Sequence, residues 1–353
     1  MADLRLPDRG AAPEPALVCA LCGGTLVRIH DSWPGYMEPM RFTILKCNTC
    51  LSHQAFPRIV DSSIYDSIYR VSNRITGYAR YESYVRLVKR HPDRALDLLS
   101  KREDIYWGIR SALAQCHLNQ GARALDVGSG LGYLTFALRM AGLAASGVDM
   151  SREAVRRAVD SFGPHYYMSS LQEISLRERH KFDVVILAEV LEHMEDPVLM
   201  LLAAKRCLRP EGSIVITTPN RSFYPELAIW QTELPPVHLW WFSEKSLVAV
   251  ANKLELRVTF TDFTRLSESR PPPISPRGDR LILPPRAFLD SHGNLIVSEP
   301  ALNRLLRAMS EFDLYLALHD RLRRFAISSH ADPQQNVLSG RRPTQCVTFA
   351  SRE

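Results

Sequence analysis

The stretch that most narrows the fold is RALDVGSGLGYLTFAL, residues 123–138. A short apolar run ends at Asp126 and Val127, Gly128, Gly130 and Gly132 follow at two-residue spacing, and a helical pattern resumes near Tyr133. Glycine lets the main chain turn tightly and approach a ligand with no Cβ in the way, and the helix start behind it offers N–H groups to an anion. Strand, bare loop and helix in that order open a βαβ unit. Residues 123–260 repeat the alternation. RALDV (123–127), ASGVD (145–149), FDVVILA (182–188), SIVITT (213–218) and ELRVTF (255–260) read as strands, with helices expected over 132–141, 151–161, 196–208 and 243–253. The class predicted is α/β, with a doubly wound, Rossmann-like, mostly parallel sheet.

Two details refine the loop. Tyr133 follows Gly132 directly, so the spacing is GxGxG and departs from the GxGxxG fingerprint that holds a pyrophosphate. Asp149 ends the next strand, 149 − 126 = 23 residues after Asp126. A carboxylate at that position can accept hydrogen bonds from both hydroxyls of a ribose.

Ahead of this core, four of the seven cysteines form two CxxC pairs, Cys19 with Cys22 and Cys47 with Cys50, separated by 47 − 22 − 1 = 24 residues. Two such turns facing each other bind Zn²⁺ tetrahedrally through four thiolates, and 24 residues between them accommodate two strands and a loop, the zinc-ribbon pattern. Four sulfur ligands leave no position for water, so the metal is assigned to folding and not to chemistry. Its loss is expected to unfold residues 17–56 and little else. Cys116, Cys207 and Cys346 lie in or beside apolar sequence and read as small buried hydrophobes.

The expected organisation is a flexible leader over 1–16, the ribbon over 17–56, a helical linker or cap over 57–118, the core over 119–262, and a tail over 263–353. In that tail a proline-rich loop precedes an amphipathic helix at 302–326 and a last strand, TQCVTFA. The helix is expected to serve as a lid or dimer element, with a membrane-surface role left open. The opening residues lack the apolar core of a secretory signal, and no run approaches the roughly 18 apolar residues of a membrane span, so a soluble cytoplasmic protein is expected. The net charge is 44 − 38 = +6. Residues 1–60 carry only 6 − 5 = +1 of it, with no concentrated basic cluster, which argues against a nucleic-acid partner.

With these residues in hand, residues 105–260 resemble a class I S-adenosylmethionine-dependent methyltransferase. LDVGSGLG is similar to that family's first motif, VDMS to its second, FDVVILAEVLEHMEDP to its fourth-strand motif and LRPEGSIVITTPN to its fifth. The resemblance implies a seven-stranded sheet and a binding site for S-adenosylmethionine. Asp126 and the loop of Gly128, Ser129, Gly130 and Gly132 would hold the methionine moiety, Asp149 the ribose, and Met150 would pack on the adenine. Ser170, Leu171 and Glu189 would line the adenine or methionine end, although MSSLQE stands where the family often places an acidic residue. The zinc unit extends the likeness to a bacterial subgroup that carries an amino-terminal ribbon and modifies sugars, glycans, lipids or secondary metabolites.

S-adenosylmethionine carries its own leaving group, so the protein has to align a nucleophile, exclude water and, for a hydroxyl acceptor, take up a proton. His238, in PPVHLWWFSEKSL, is a candidate base walled by Trp230, Trp240, Trp241 and Phe242, or a loop histidine that packs on them. His193, in LEHMEDP, is the second candidate, with a structural role as the alternative, and Asn220 is a candidate for orienting an acceptor. The expected activity is methyl transfer to an oxygen of a small molecule or of a glycan- or lipid-linked intermediate. An RNA methyltransferase and a sugar C-methyltransferase are the alternatives, with a scaffold protein outside enzymology. A homodimer and peripheral membrane contact stay open.

Overall fold

The computed structural model describes residues 18–59, 62–75, 78–224, 234–270, 287–296 and 342–352. The chain first forms β1 (Leu26–Pro34), β2 (Arg41–Cys47) and β3 (His53–Phe56), an antiparallel ribbon, then α1 (Ser62–Arg70), α2 (Ala79–Arg90), α3 (Ala95–Arg102) and α4 (Asp104–Gln115). Strand and helix then alternate through β4 (Arg123–Val127), α5 (Tyr133–Met140), β5 (Ala144–Asp149), α6 (Arg152–Phe162), β6 (Tyr166–Met168), α7 (Leu171–Arg177), β7 (Phe182–Ala188), α8 (Pro197–Cys207) and β8 (Leu208–Pro219). The elements β9 (Trp240–Trp241), α9 (Glu244–Lys253), β10 (Leu256–Phe260), α10 (Thr264–Ser269) and β11 (Thr344–Ser351) follow.

The larger sheet has seven strands in the order β10-β11-β8-β7-β4-β5-β6. Strands β4 to β8 pair in parallel, while β11 runs antiparallel to both of its neighbours. The expected α/β class and mostly parallel sheet are therefore present. The sequence reading missed β6, whose three residues are too few to show a period. Strand order reverses between β4 and β7, so a crevice opens beyond their carboxyl ends, where such sheets bind ligands. The run FDVVILA is apolar throughout because β7 is covered on both faces: Val184 and Ile186 join one core cluster, Val185 and Leu187 the other.

The second of those clusters is shared with the ribbon. Leu21, Leu26, Ile44 and Leu45 belong to the same buried set as Val185, Leu187, Ile214 and Leu247. The backbone joins the two units as well, because β9 adds to the ribbon as a fourth strand, His53 opposite Trp241 and Gln54 opposite Trp240. Ala55 N donates to the Leu239 carbonyl at 2.9 Å, and Ser243 Oγ to the Cys50 carbonyl at 2.5 Å. Buried Arg221 donates through Nε to His53 Nδ1 at 3.1 Å. His53 can accept because burial, followed by the Arg221 charge, pushes its pKa down to about 2.

The four thiols hold the ribbon's far end. Cys19 and Cys50 sulfurs lie 3.8 Å apart and those of Cys22 and Cys47 3.5 Å apart. A tetrahedron with Zn–S bonds of 2.3 Å has edges of roughly 3.8 Å, so the donor set fits Zn²⁺. Gly24 N and Cys50 N each point at a thiol sulfur at 3.4 Å, Cys22 and Cys47 respectively. Gly23 (φ +76°) and Leu51 (φ +61°) supply the left-handed residue that closes each turn.

The expectation that metal loss unfolds residues 17–56 and little else meets a ribbon that shares strand pairing and core with residues 234–251, so the loss is predicted to reach that stretch as well. The leader, most of the proline-rich loop, the 302–326 helix and Trp230 lie outside the described residues. Among the described residues no helix is long and apolar enough to cross a membrane.

Chelating the metal is expected to speed hydrogen–deuterium exchange in residues 18–56 and also in 234–243, with the β4–α5 region still protected. Exchange confined to 18–56 would show that the docking carries no stability.

Candidate functional site

A cavity of about 970 Å³ occupies the crevice at the strand-order reversal. Its floor is the glycine loop. Gly128, Gly130 and Gly132 take φ values of +68°, +50° and +81°, a region L side chains rarely adopt. A Cβ on Gly128 would lie 2.5 Å from Val190 Cγ2, and one on Gly130 2.8 Å from the Tyr69 hydroxyl, so the loop has no room for side chains.

The loop's amides are largely taken. Gly128 N and Ser129 N both donate to the Val148 carbonyl, at 2.8 and 3.1 Å, and Gly132 N to Ser129 O at 2.9 Å. Gly130 N donates to Asp149 Oδ2 at 2.8 Å. The expectation of N–H groups offered to an anion is therefore not met by these residues. A ligand meets bare Cα surface and carboxylates instead, unlike a pyrophosphate cradle.

Asp149 lies at the end of β5, with Oδ1 accepting from Ser151 N at 2.8 Å. The two amides fix its carboxylate toward the cavity, and burial raises its pKa. Asp126, 1% exposed, accepts from Thr135 Oγ1 at 2.6 Å, and burial pushes its pKa up to about 7. Exposed Met150 and buried Leu171 also line the cavity. Ser170 does too, but its hydroxyl is engaged as the cap of α7, accepting from Glu173 N at 3.2 Å.

Glu189 follows β7 directly in a strained left-handed conformation, φ +55°, with its amide donated to the Thr217 carbonyl at 3.0 Å. Its carboxylate lines the cavity, and burial pushes its pKa up to about 7.

In the wall that follows β7, two histidines 45 residues apart in sequence meet. Leu239 N donates to Glu192 O at 2.8 Å, which draws the 234–239 loop onto the turn after β7. The His193 and His238 rings pack edge to face with centroids 4.6 Å apart. His193 Nδ1 bonds the Val237 carbonyl, which also accepts from the Tyr65 hydroxyl at 3.4 Å. Since a carbonyl can only accept, Nδ1 carries the proton and Nε2 keeps its lone pair. Burial lowers the pKa of both imidazoles, His238 further than His193. Glu192, buried beside them, brings a carboxylate oxygen within 4.8 Å of both ring donors.

His238 thus packs on His193, whereas Trp240 stacks with Phe242. Asn220 is no part of the cavity: it is 2% exposed, and its side chain accepts from Ser222 N at 3.0 Å as a helix cap. Sequence reasoning missed Arg58, Tyr78, Arg80 and Tyr81 as lining residues, and placed Tyr65 and Tyr69 only on a helix. Their three- and four-residue spacing reads equally well as ordinary core.

Residues 99–259 match the family described as a methyltransferase domain. A ubiquinone biosynthesis O-methyltransferase of Haemophilus ducreyi is 34% identical over 111 residues, which cover 29% of this chain and 47% of that protein. The protein of the same name from Methylococcus capsulatus is 34% identical over 120 residues, 32% of this chain and 51% of that one. The chain spans about half the length of the curated relatives it matches. Among solved structures, a SAM dependent methyltransferase from Archaeoglobus fulgidus aligns with a TM-score of 0.41 and 16% identity over 70% of this chain and 93% of that one.

Replacing Gly128 by Ala is expected to cost about 1–2 kcal/mol of stability through its left-handed backbone. Calorimetry with S-adenosylhomocysteine should show binding weakened by at least about tenfold, whereas Gly163→Ala, also left-handed but with open space at its Cβ, should lose stability without losing binding.

Proposed function

We propose, from the premise that this chain carries a class I S-adenosylmethionine-dependent methyltransferase domain, that it methylates an oxygen of a small molecule. The observation that carries the proposal is that one cavity is lined by the glycine loop and Asp149 and also by His193 and His238.

The donor's residues are those facing the loop. Asp126, Gly128, Ser129, Gly130 and Gly132 fit the methionine moiety, Asp149 the ribose diol, and Met150, Ser170 and Leu171 the adenine. Glu189 lines the same cavity, where an ionised carboxylate would favour a nearby positive charge. When bound, S-adenosylmethionine supplies an electrophilic methyl group with a thioether as leaving group.

This chain then has to take the acceptor's proton. His193 is suited to it, with Nδ1 tied to the Val237 carbonyl, a neutral ring and a basic Nε2. His238 supports that ring from the side and narrows the acceptor's approach. The name of the relatives supports an oxygen on a small molecule, while glycan- and lipid-linked acceptors and carbon methylation have no such support.

The reading is tested by incubating the protein with methyl-labelled S-adenosylmethionine and fractionated cell extract, then identifying the labelled product by mass spectrometry. Label on a hydroxyl of a small molecule is expected, and label confined to RNA would overturn it. His193→Asn should lower kcat by about 10²–10⁴ while leaving S-adenosylhomocysteine affinity nearly unchanged.

Burial lowers the His193 pKa, so the base stays neutral until the pH falls below its ordinary value near 6.5. The limb contributed by His193 should therefore lie below that value, apart from one near 7 expected of Asp126 and Glu189. A rate with no acid limb below 6.5 would exclude His193 as the base.

A further inference from the structure

We infer that Arg58 forms an anion-recognition subsite in the acceptor half of the cavity, so that the molecule methylated carries a carboxylate or phosphate in addition to its reacting hydroxyl. The inference rests on the methyltransferase reading above and extends it to the acceptor's charge.

Arg58 follows the ribbon's last strand and lines the cavity together with His193, Met194 and His238. Its guanidinium lies over the Trp240 ring, 5.0 Å from the centroid. That ring is held rigidly, being fully buried, with its indole N–H donated to the Met194 carbonyl at 2.9 Å. A guanidinium lying over an aromatic face is gripped by attraction to the ring, while its N–H groups point sideways and stay available to a planar or tetrahedral oxyanion.

Two guanidinium groups line this cavity, and their situations differ. Arg80 is committed to Glu103 through Nε at 2.5 Å. Arg58 has the tryptophan contact but no ion pair among the described residues. Of the carboxylates that line the cavity, Asp149 takes the Gly130 and Ser151 amides and Asp126 the Thr135 hydroxyl, while Glu189 and Glu195 line it with no ion pair to Arg58 among the described residues. At the rim, Asp196 caps α8 by accepting from Val198 N and Leu199 N at 2.9 and 3.0 Å.

Trp240 bonds the residue next to His193, so an anion on Arg58 would sit beside the proposed proton acceptor. Both Arg58 and Trp240 belong to the β3–β9 junction, which gives the ribbon a part in choosing the acceptor.

The test measures binding of small probes by calorimetry, with S-adenosylhomocysteine present: benzoate, phenyl phosphate and the neutral methyl benzoate. At least one anion should bind about tenfold or more tighter than the ester, the difference expected of one charge-assisted contact. Benzoate and phenyl phosphate separate a carboxylate acceptor from a phosphate one. Arg58→Met should abolish the preference and Arg58→Lys retain part of it, with S-adenosylhomocysteine affinity unchanged in both.

Equal binding of ester and anions, a preference that survives in Arg58→Met, or no anion binding at millimolar concentration overturns the proposal. Failure of S-adenosylhomocysteine itself to bind wild-type protein would instead count against the methyltransferase reading, and the probe measurement without it still decides the role of Arg58.

Discussion

The donor end of the molecule depends on one carboxylate. Asp149 reaches from the end of β5 to the Gly130 amide while its other oxygen takes the Ser151 amide. Together with the two amides bonded to Val148 O, these contacts fasten the glycine loop to the neighbouring strand. The loop can therefore hold three left-handed glycines at alternate positions without collapsing into the cavity. Gly147, directly opposite, is part of the same constraint, because a Cβ there would meet Ser129 Oγ at 2.7 Å and Thr135 Oγ1 at 2.8 Å. Shape and electrostatics coincide here: the carboxylate that shapes the floor also faces any ligand resting on it.

The acceptor end is built by a different principle. Its histidines belong to a short turn after β7 and to the loop before β9, and neither segment is regular enough to fix a side chain by itself. What brings them together is backbone bonding between those segments, with Val237 O and Glu192 O as the acceptors. The ribbon then presses on the 234–243 stretch from outside through β9, Ser243 and Arg221. A four-thiol unit with no coordination site left for chemistry still contributes to the cavity, by holding the wall in place.

How much of this was legible in the sequence follows from range. The parallel strands other than β6 were readable because burial on both faces favours continuous apolar runs such as FDVVILA, and the glycine loop because left-handed backbone demands glycine. The two CxxC turns were readable from spacing alone. The union of β3 with β9 was not, since a two-residue strand has no period and its partner lies 241 − 53 = 188 residues away. For the same reason the pairing of His193 with His238 and the position of Arg58 over Trp240 had no local signature. The loop's amides misled in the other direction: a glycine-rich strand–helix turn suggests an anion cradle, but pairing with Val148 and Asp149 consumes most of those donors.

The late closure of the ribbon has a consequence for how the chain is made. Its first three strands leave the ribosome before the strand that covers their edge, β9, which is encoded almost 190 residues later. At 5–20 residues per second, that edge stays uncovered for roughly 10–40 s of translation. A metal ion bound early by the four thiols would keep the nascent hairpins folded through this interval, so metal supply during synthesis would bear on yield.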